Sequence, residues 1–223
     1  MAEHMPRRPE PEFMDIPAEA AAYAEADFAV VNQAFVDRLL ALAGPAERAR
    51  AVDLGTGPGD ISIRVAAACP AWRVAAVDAS EAMLAIARRA GDAAGVGGRI
   101  DWVLADAKAA PLPDAAFDVV FSNSILHHIN DPAALWREVR RLAAPGGLVF
   151  LRDLARPPTD RVARALVEKY SGGESALLKD EFHRSLLAAW TPDEVRAQLE
   201  AAGLSGLDVT TPTDRHLDIA GRL

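Results

Sequence analysis

The sequence predicts an α/β protein built on a mostly parallel, doubly wound sheet. Three observations carry this. Short apolar runs alternate with segments of helical period along most of the chain. The runs are continuously apolar rather than alternating, which fits strands covered by helices on both faces. The first run passes directly into "GTGPGD", so glycines stand at 55, 57 and 59 between a strand and a helix.

The elements follow in order. "PRRPEPEFMDIP" (6–17) holds four prolines and is expected to be extended, and mobile unless it docks. The opening "MAEHM" reads as a vector scar, so 1–16 is taken as tag remnant and flexible arm. From 17 to 43 Phe28, Val31, Phe35, Leu39 and Leu42 recur at helical spacing, and Gly44-Pro45 ends the run. This helix is expected to cover a single domain spanning 17–223. "RAVDLG" reads as strand one and "DISIRVAAACP" as a helix stopped by Pro70. "WRVAAVD" is strand two. "SEAMLAIARRAGDAAG" is a helix capped by Ser80 and stopped by Gly95. "RIDWVLAD" and "FDVVFSN" are strands three and four. "DPAALWREVRRLAAPGG" is a helix with Asp131 as N-cap, Pro132 at its first position and a Pro-Gly-Gly exit into strand five, "LVFLRDL". An irregular helical insertion occupies about 157–190. "TPDEVRAQLEAAG" opens with a capping box, Thr191 with Glu194. Two short strands near 205–210 and 216–220 leave no room for a crossover helix, so they are expected to be antiparallel.

Composition narrows the function. Lys and Arg number 24 against 32 Asp and Glu, a net charge of −8. Nucleic acid is therefore an improbable main partner, because phosphate neutralisation needs a basic face. Cys69 is the one cysteine, so neither an intrachain disulfide nor a cysteine-based metal site can form, and no metal is expected. No apolar run approaches the roughly 20 residues of a membrane span, and there is no secretory leader pattern. A cytoplasmic protein without membrane association is expected, either monomer or homodimer.

The glycine turn is where a ligand can approach the backbone. Dinucleotide-binding turns read G-x-G-x-x-G and set a pyrophosphate on the helix N-terminus. Here Asp60 stands where the last glycine would be. A carboxylate there repels a pyrophosphate, and Asp53 adds negative charge. The pair suits a cationic ligand such as S-adenosylmethionine, with its ammonium and sulfonium. The bland alternative is that Asp60 only favours the helix dipole.

"VDLGTGPGD" resembles the first motif of class I S-adenosylmethionine-dependent methyltransferases, in particular the small type 11 group. The resemblance continues in order through "VAAVDASEAML", "DWVLADAKAAPLPDAAFDVVFSNSILHHI" and "RLAAPGGLVFLRDL", about residues 47–154. It implies a Rossmann-like seven-stranded sheet of order 3-2-1-4-5-7-6 with one antiparallel strand. It also implies S-adenosylmethionine as cofactor, S-adenosylhomocysteine as product and a small-molecule acceptor. The alternatives left open are an RNA or protein methyltransferase and a non-catalytic cofactor-binding accessory protein.

The candidate cofactor residues are Asp53, Gly55, Thr56, Gly57 and Gly59 of the first motif. Asp78 follows at the end of strand two, placed for ribose hydroxyls, with Ala79 and Met83 on the adenine side. Asp106, at the end of strand three, can accept from the adenine amino group beside Ala107. Ser122 and Asn123, with Ser124, belong near the donor methyl. Tyr23 stands where family members lay an N-terminal segment over the cofactor. His127 and His128 are candidate proton acceptors for a hydroxyl or amine nucleophile. Arg152, Tyr170, Phe182 and His183 are candidate acceptor-lining residues, as are Asp214, Arg215 and His216 near the end.

Overall fold

The computed structural model describes residues 4–11, 28–45 and 47–223. The elements are α1 (Ala29–Ala43), β1 (Arg50–Leu54), α2 (Asp60–Ala68), β2 (Arg73–Asp78), α3 (Glu81–Ala93), β3 (Ile100–Leu104), β4 (Phe117–Asn123), α4 (Pro132–Leu142), β5 (Ala143–Leu154), α5 (Asp160–Ser171), α6 (Ala176–Ala188), α7 (Pro192–Ala201), β6 (Asp208–Thr210) and β7 (His216–Arg222). The seven strands form one sheet in the order β3-β2-β1-β4-β5-β7-β6. β7 runs antiparallel to both β5 and β6, and the other pairings are parallel. This is the expected architecture.

Alternation within the strands builds a core on each face of the sheet. Val52, Leu54, Val120, Val149 and Leu151 meet Trp136 and Val139 of α4 and Leu199 of α7. Their neighbours Ala51, Phe121 and Phe150 meet Phe35 and Leu39 of α1 and Val65 of α2. Phe35 stacks on Phe150 with ring centroids 4.7 Å apart. The period-2 side-chain direction of β1, β4 and β5 thus divides one apolar run between two helical layers.

Local chemistry sets the helix starts. Ser80 accepts from the Met83 amide, Asp131 from the Ala133 amide, and Thr191 and Glu194 form a complete capping box. The insertion is more regular than expected. Thr159 and Ser175 cap two helices, α5 and α6, which share a small core with Leu154. β5 starts earlier than expected, at Ala143, because Ala143 pairs with Phe117 before the register shifts to Leu148 with Val119.

Residues 4–11 dock rather than hang free. The Met5 amide donates to Pro158 O at 3.1 Å and the Arg8 amide to Leu187 O at 2.9 Å. Arg7 donates from Nε to Ala188 O at 2.5 Å and from Nη2 to His127 O at 2.8 Å, and its guanidinium lies 4.1 Å above the Trp190 ring. The Met5 and Arg8 amides thus tie the segment to the α5–α6 region. No helix among the described residues is long and apolar enough to cross a membrane.

Candidate active site

A cavity of about 400 Å³ opens at the C-terminal ends of β1, β2, β3 and β4. That is where ligands bind in open parallel sheets. The carboxylate of Asp78 ends β2 and turns back on the glycine loop: its Oδ2 accepts from the Gly57 amide at 2.7 Å and its Oδ1 from the Ser80 amide at 2.9 Å. The loop and the acid therefore hold one another in place.

The three glycines serve different ends. At Gly57 φ is +55° and a Cβ would enter open space, so the backbone is bare toward the cavity. At Gly59 φ is +86° and a Cβ would lie 2.8 Å from Ala87 Cβ and 2.9 Å from the Trp102 ring. Gly59 therefore seats α2 against α3 and β3 and does not line the cavity. Gly55 lines the cavity beside Ile125.

Two acids differ from their expected electrostatic role. Asp53 is buried, accepts from Ser62 Oγ at 2.8 Å, and burial pushes its pKa up to about 7. Near neutrality it carries only part of a charge. Asp60 accepts from Arg64 Nε at 2.7 Å and Asn32 Nδ2 at 2.8 Å. Its charge is matched within the protein, so repulsion of a phosphate by Asp60 is weaker than the sequence suggests.

Thr56, Asp78, Ala79, Met83, Asp106, Ala107 and Asn123 line the cavity, together with Asp53, Gly55 and Gly57. Ser124 lines it too, at φ +61°, a left-handed conformation costing a non-glycine residue roughly 1–2 kcal/mol. Ser122 does not: its Oγ is buried and donates to Leu54 O at 2.6 Å, tying β4 to β1. Tyr23 lies outside the described residues. Phe28 and Asn32 of the α1 region and Lys108 after β3 also line the cavity. Nothing in their sequence context marked them, since helix-face and loop positions take on such roles only through packing.

The two histidines separate. His128 lines the cavity, and burial, with the neighbouring His127, pushes its pKa down to about 3. It is neutral and weakly basic. His127 is buried behind it, with Nδ1 2.6 Å from Asp153 Oδ1 at the end of β5. Burial opposes its charge, but Asp153 and Glu10 outweigh burial and raise its pKa. Glu10, from the docked arm, brings Oε1 to 3.5 Å from His127 Nε2 and 3.3 Å from His128 Nδ1. Glu10, His127 and His128 are a group able to hold a metal ion. Sequence reasoning missed Glu10, which sits in a proline-rich run, and Asp153, although its place at a strand end was a usable cue.

The other expected lining residues lie elsewhere. Arg152 makes a two-pronged ion pair with Asp218, joining β5 to β7. Tyr170 donates to Asp214 at 2.6 Å under the Arg215 guanidinium, and His183 contacts Asp160 at 2.9 Å. None of these residues, nor Phe182 or His216, lines the cavity.

Residues 52–151 match the family model described as a methyltransferase domain. The chain is 32% identical over 168 residues to the demethylmenaquinone methyltransferase of Thermus thermophilus, covering 70% of this chain and 74% of that protein. It is 37% identical over 118 residues to the demethylmenaquinone methyltransferase of Roseiflexus castenholzii, covering 53% of this chain and 48% of the relative. It is 32% identical over 155 residues to the 27-O-demethylrifamycin SV methyltransferase of Amycolatopsis mediterranei, covering 70% of this chain and 53% of that relative. It thus spans about half the length of these last two. A SAM-dependent methyltransferase from Aquifex aeolicus superposes with a TM-score of 0.69 at 18% identity, over 93% of this chain and 98% of that one, a likeness of fold. Motif order, sheet topology and the strand-end cavity agree with these matches, and the chain belongs to the family of S-adenosylmethionine-dependent methyltransferases that carry this methyltransferase domain.

Proposed function

We propose that the chain moves a methyl group from S-adenosylmethionine to a small-molecule acceptor, releasing S-adenosylhomocysteine. One observation carries this reading. A single cavity joins the glycine loop, Asp78 and Asp106 on one side to Asn123, Ser124 and His128 on the other. A nucleoside end and a reacting end therefore share one volume. The residues fit the cofactor. Gly57 leaves the backbone open to it, and Asp78 is oriented by two amides to face a ribose diol. Met83 and Ala107 take the adenine and Asp106 its amino group, while Asp53 and Thr56 lie toward the amino-acid end. The relatives' names refer to two different small molecules, demethylmenaquinone and a demethylrifamycin. The net charge of −8 also fits a small acceptor better than RNA.

The chemistry asks mainly for alignment. The sulfonium already activates the methyl carbon, so holding donor and acceptor in line and excluding water supplies much of the catalysis. His128, neutral and weakly basic, shapes the reacting end rather than taking a proton readily.

The test is calorimetry with S-adenosylhomocysteine and NAD, followed by methyl-labelled cofactor incubated with fractionated cell extract. Label in the small-molecule fraction is expected. Label confined to RNA or protein, or NAD binding without S-adenosylhomocysteine binding, would overturn the reading. Asp78→Ala is expected to weaken S-adenosylhomocysteine by about 1.5–3 kcal/mol, the scale for hydrogen bonds to a charged acceptor. An unchanged dissociation constant in the folded variant would move the ribose elsewhere.

Asp53 gives a second measurable consequence. An ionised carboxylate at the cavity floor favours the cofactor's ammonium, and its pKa is about 7. About one tenth of molecules are ionised at pH 6 and about nine tenths at pH 8. Cofactor affinity is therefore expected to rise about tenfold between those pH values, because only the ionised fraction is competent. Asp53→Asn should flatten that profile. A wild-type affinity that is constant over the interval would show that Asp53 does not meet the ammonium.

A further inference from the structure

We propose that Glu10 Oε1, His127 Nε2 and His128 Nδ1 bind one divalent first-row transition-metal ion, of the zinc type, at the wall of the cavity. Two imidazole nitrogens and one carboxylate oxygen are a common donor set for such ions in catalytic sites, where further coordination positions stay open. One ligand atom from each of the three residues lies within 4.8 Å of the others.

The distances favour an ion over a hydrogen-bonded cluster. Charge-assisted N–H···O bonds measure about 2.7–2.9 Å. The two contacts of Glu10 Oε1 are longer, 3.5 Å to His127 Nε2 and 3.3 Å to His128 Nδ1. Ligands about 2.0–2.1 Å from a tetrahedral ion stand about 3.3–3.4 Å apart. The spacing around Glu10 is therefore that of neighbouring corners of a coordination tetrahedron. On the far side of the same imidazole, Nδ1 is 2.6 Å from Asp153, which is hydrogen-bond length.

That contrast also settles which nitrogen is available. Asp153 accepts the Nδ1 proton of His127, so Nε2 is the nitrogen that faces Glu10, and an ion bound there takes the place of a proton on Nε2. A carboxylate behind a ligating histidine fixes ring and tautomer and raises ligand basicity in metal sites. Asp153 is itself held by the amides of Leu126 at 2.5 Å and Leu154 at 2.6 Å. Ser185 Oγ donates to Glu10 Oε1 at 3.1 Å, orienting that carboxylate. Pro11 O accepts from His128 Nδ1 at 3.4 Å, and an ion bound at Nδ1 takes the place of that proton. The local charge suits a cation once the ion has displaced the His127 Nε2 proton: Glu10 and Asp153 then bring two negative charges and Arg7 one positive, while Arg156 is paired with Glu194 at 2.5 Å.

The position gives the ion a use. His128 belongs both to this triad and to the cavity wall. On the methyltransferase reading above, which this use alone rests on, the ion is placed to bind an oxygen of the acceptor and lower its pKa. The acceptor class is then one offering a hydroxyl, enol or carboxylate oxygen to a metal.

Cobalt(II) and zinc(II) are the probes. The full chain, stripped with chelator, is titrated with each while S-adenosylhomocysteine binding and melting are followed on the same samples. One Co²⁺ per chain is expected, with the intense visible absorption of a four- or five-coordinate site, displaced by Zn²⁺. Glu10→Gln and His128→Ala are each expected to weaken binding by at least about tenfold, and the double variant to abolish the visible band. The melting temperature of each metal-free variant checks that it is folded. A metal-free chain that binds S-adenosylhomocysteine but takes up neither ion overturns the metal site and leaves the methyltransferase reading standing. Ion binding of equal strength in the double variant overturns it as well, because the ion then sits elsewhere.

Discussion

Replacing Asp153 with alanine is expected to cost about 3–5 kcal/mol of folding free energy, the scale for removing one partner of a buried ion pair. The carboxylate is 2% exposed and meets the Leu126 and Leu154 amides and the His127 ring. Alanine leaves those donors buried without an acceptor, and the His127 imidazole loses its nearer counter-charge. For a domain of this length each kcal/mol moves the melting temperature by about 2–4 °C, so a fall on the order of 10 °C is expected. The pH dependence distinguishes this cause from simple loss of packing. Burial works against the Asp153 charge, but His127 and the Leu154 amide hold its pKa below the ordinary 3.8, and the pKa of His127 is raised above 6.5. A lowered acid contributes stability above its unfolded value, lost as pH falls through the folded one. A raised histidine contributes below its unfolded value, lost as pH rises through the folded one. The gap between wild type and Asp153→Asn should therefore be widest from about pH 4 to 6.5 and narrow on either side. A gap that is flat across pH would refute the ion pair.

Gly59→Ala and Gly57→Ala are expected to separate stability from binding. At Gly59 a Cβ meets Ala87 and Trp102 at 2.8 and 2.9 Å with φ at +86°. Left-handed strain and overpacking together cost about 3 kcal/mol, or about 6–12 °C in melting temperature. S-adenosylhomocysteine affinity measured well below the melting point should change little, since Gly59 is outside the cavity. At Gly57 φ is +55° and the Cβ meets nothing within 4 Å. Its cost to folding is about 1 kcal/mol, yet the methyl occupies space the cofactor needs, and a loss of at least tenfold in affinity, about 1.4 kcal/mol, is expected. If Gly57→Ala binds as wild type does, the loop does not cradle the ligand.

The sheet was readable because its physics is local. Continuous apolar runs, capping residues such as Ser80 and Thr191, and glycines at strand–helix turns each act within a few positions. The glycine-loop side of the cavity was readable for the same reason: Asp78 and Asp106 end strands, and strand ends converge. The His128 side was not. Glu10 and Asp153 lie far apart in sequence and meet at His127 only after the arm docks and β5 pairs with β4. Arg152 shows the opposite error. A charged residue near a strand end looked like a lining group, but the antiparallel β7 brings Asp218 beside it, and the pair saturates.

Residues 4–11 are tied down by few backbone bonds, far from the hydrogen-bonded centre of the sheet. Such a segment opens as a sub-global unit at lower free energy than the sheet itself. Amide hydrogen exchange at Met5 and Arg8, whose bonds go to Pro158 and Leu187, is therefore expected to be faster than at Val52 or Val120. Each opening carries Glu10 away from both imidazoles while the strands remain paired. The exchange rate of the Arg8 amide thus reports the fraction of time in which the two histidines stand without their carboxylate.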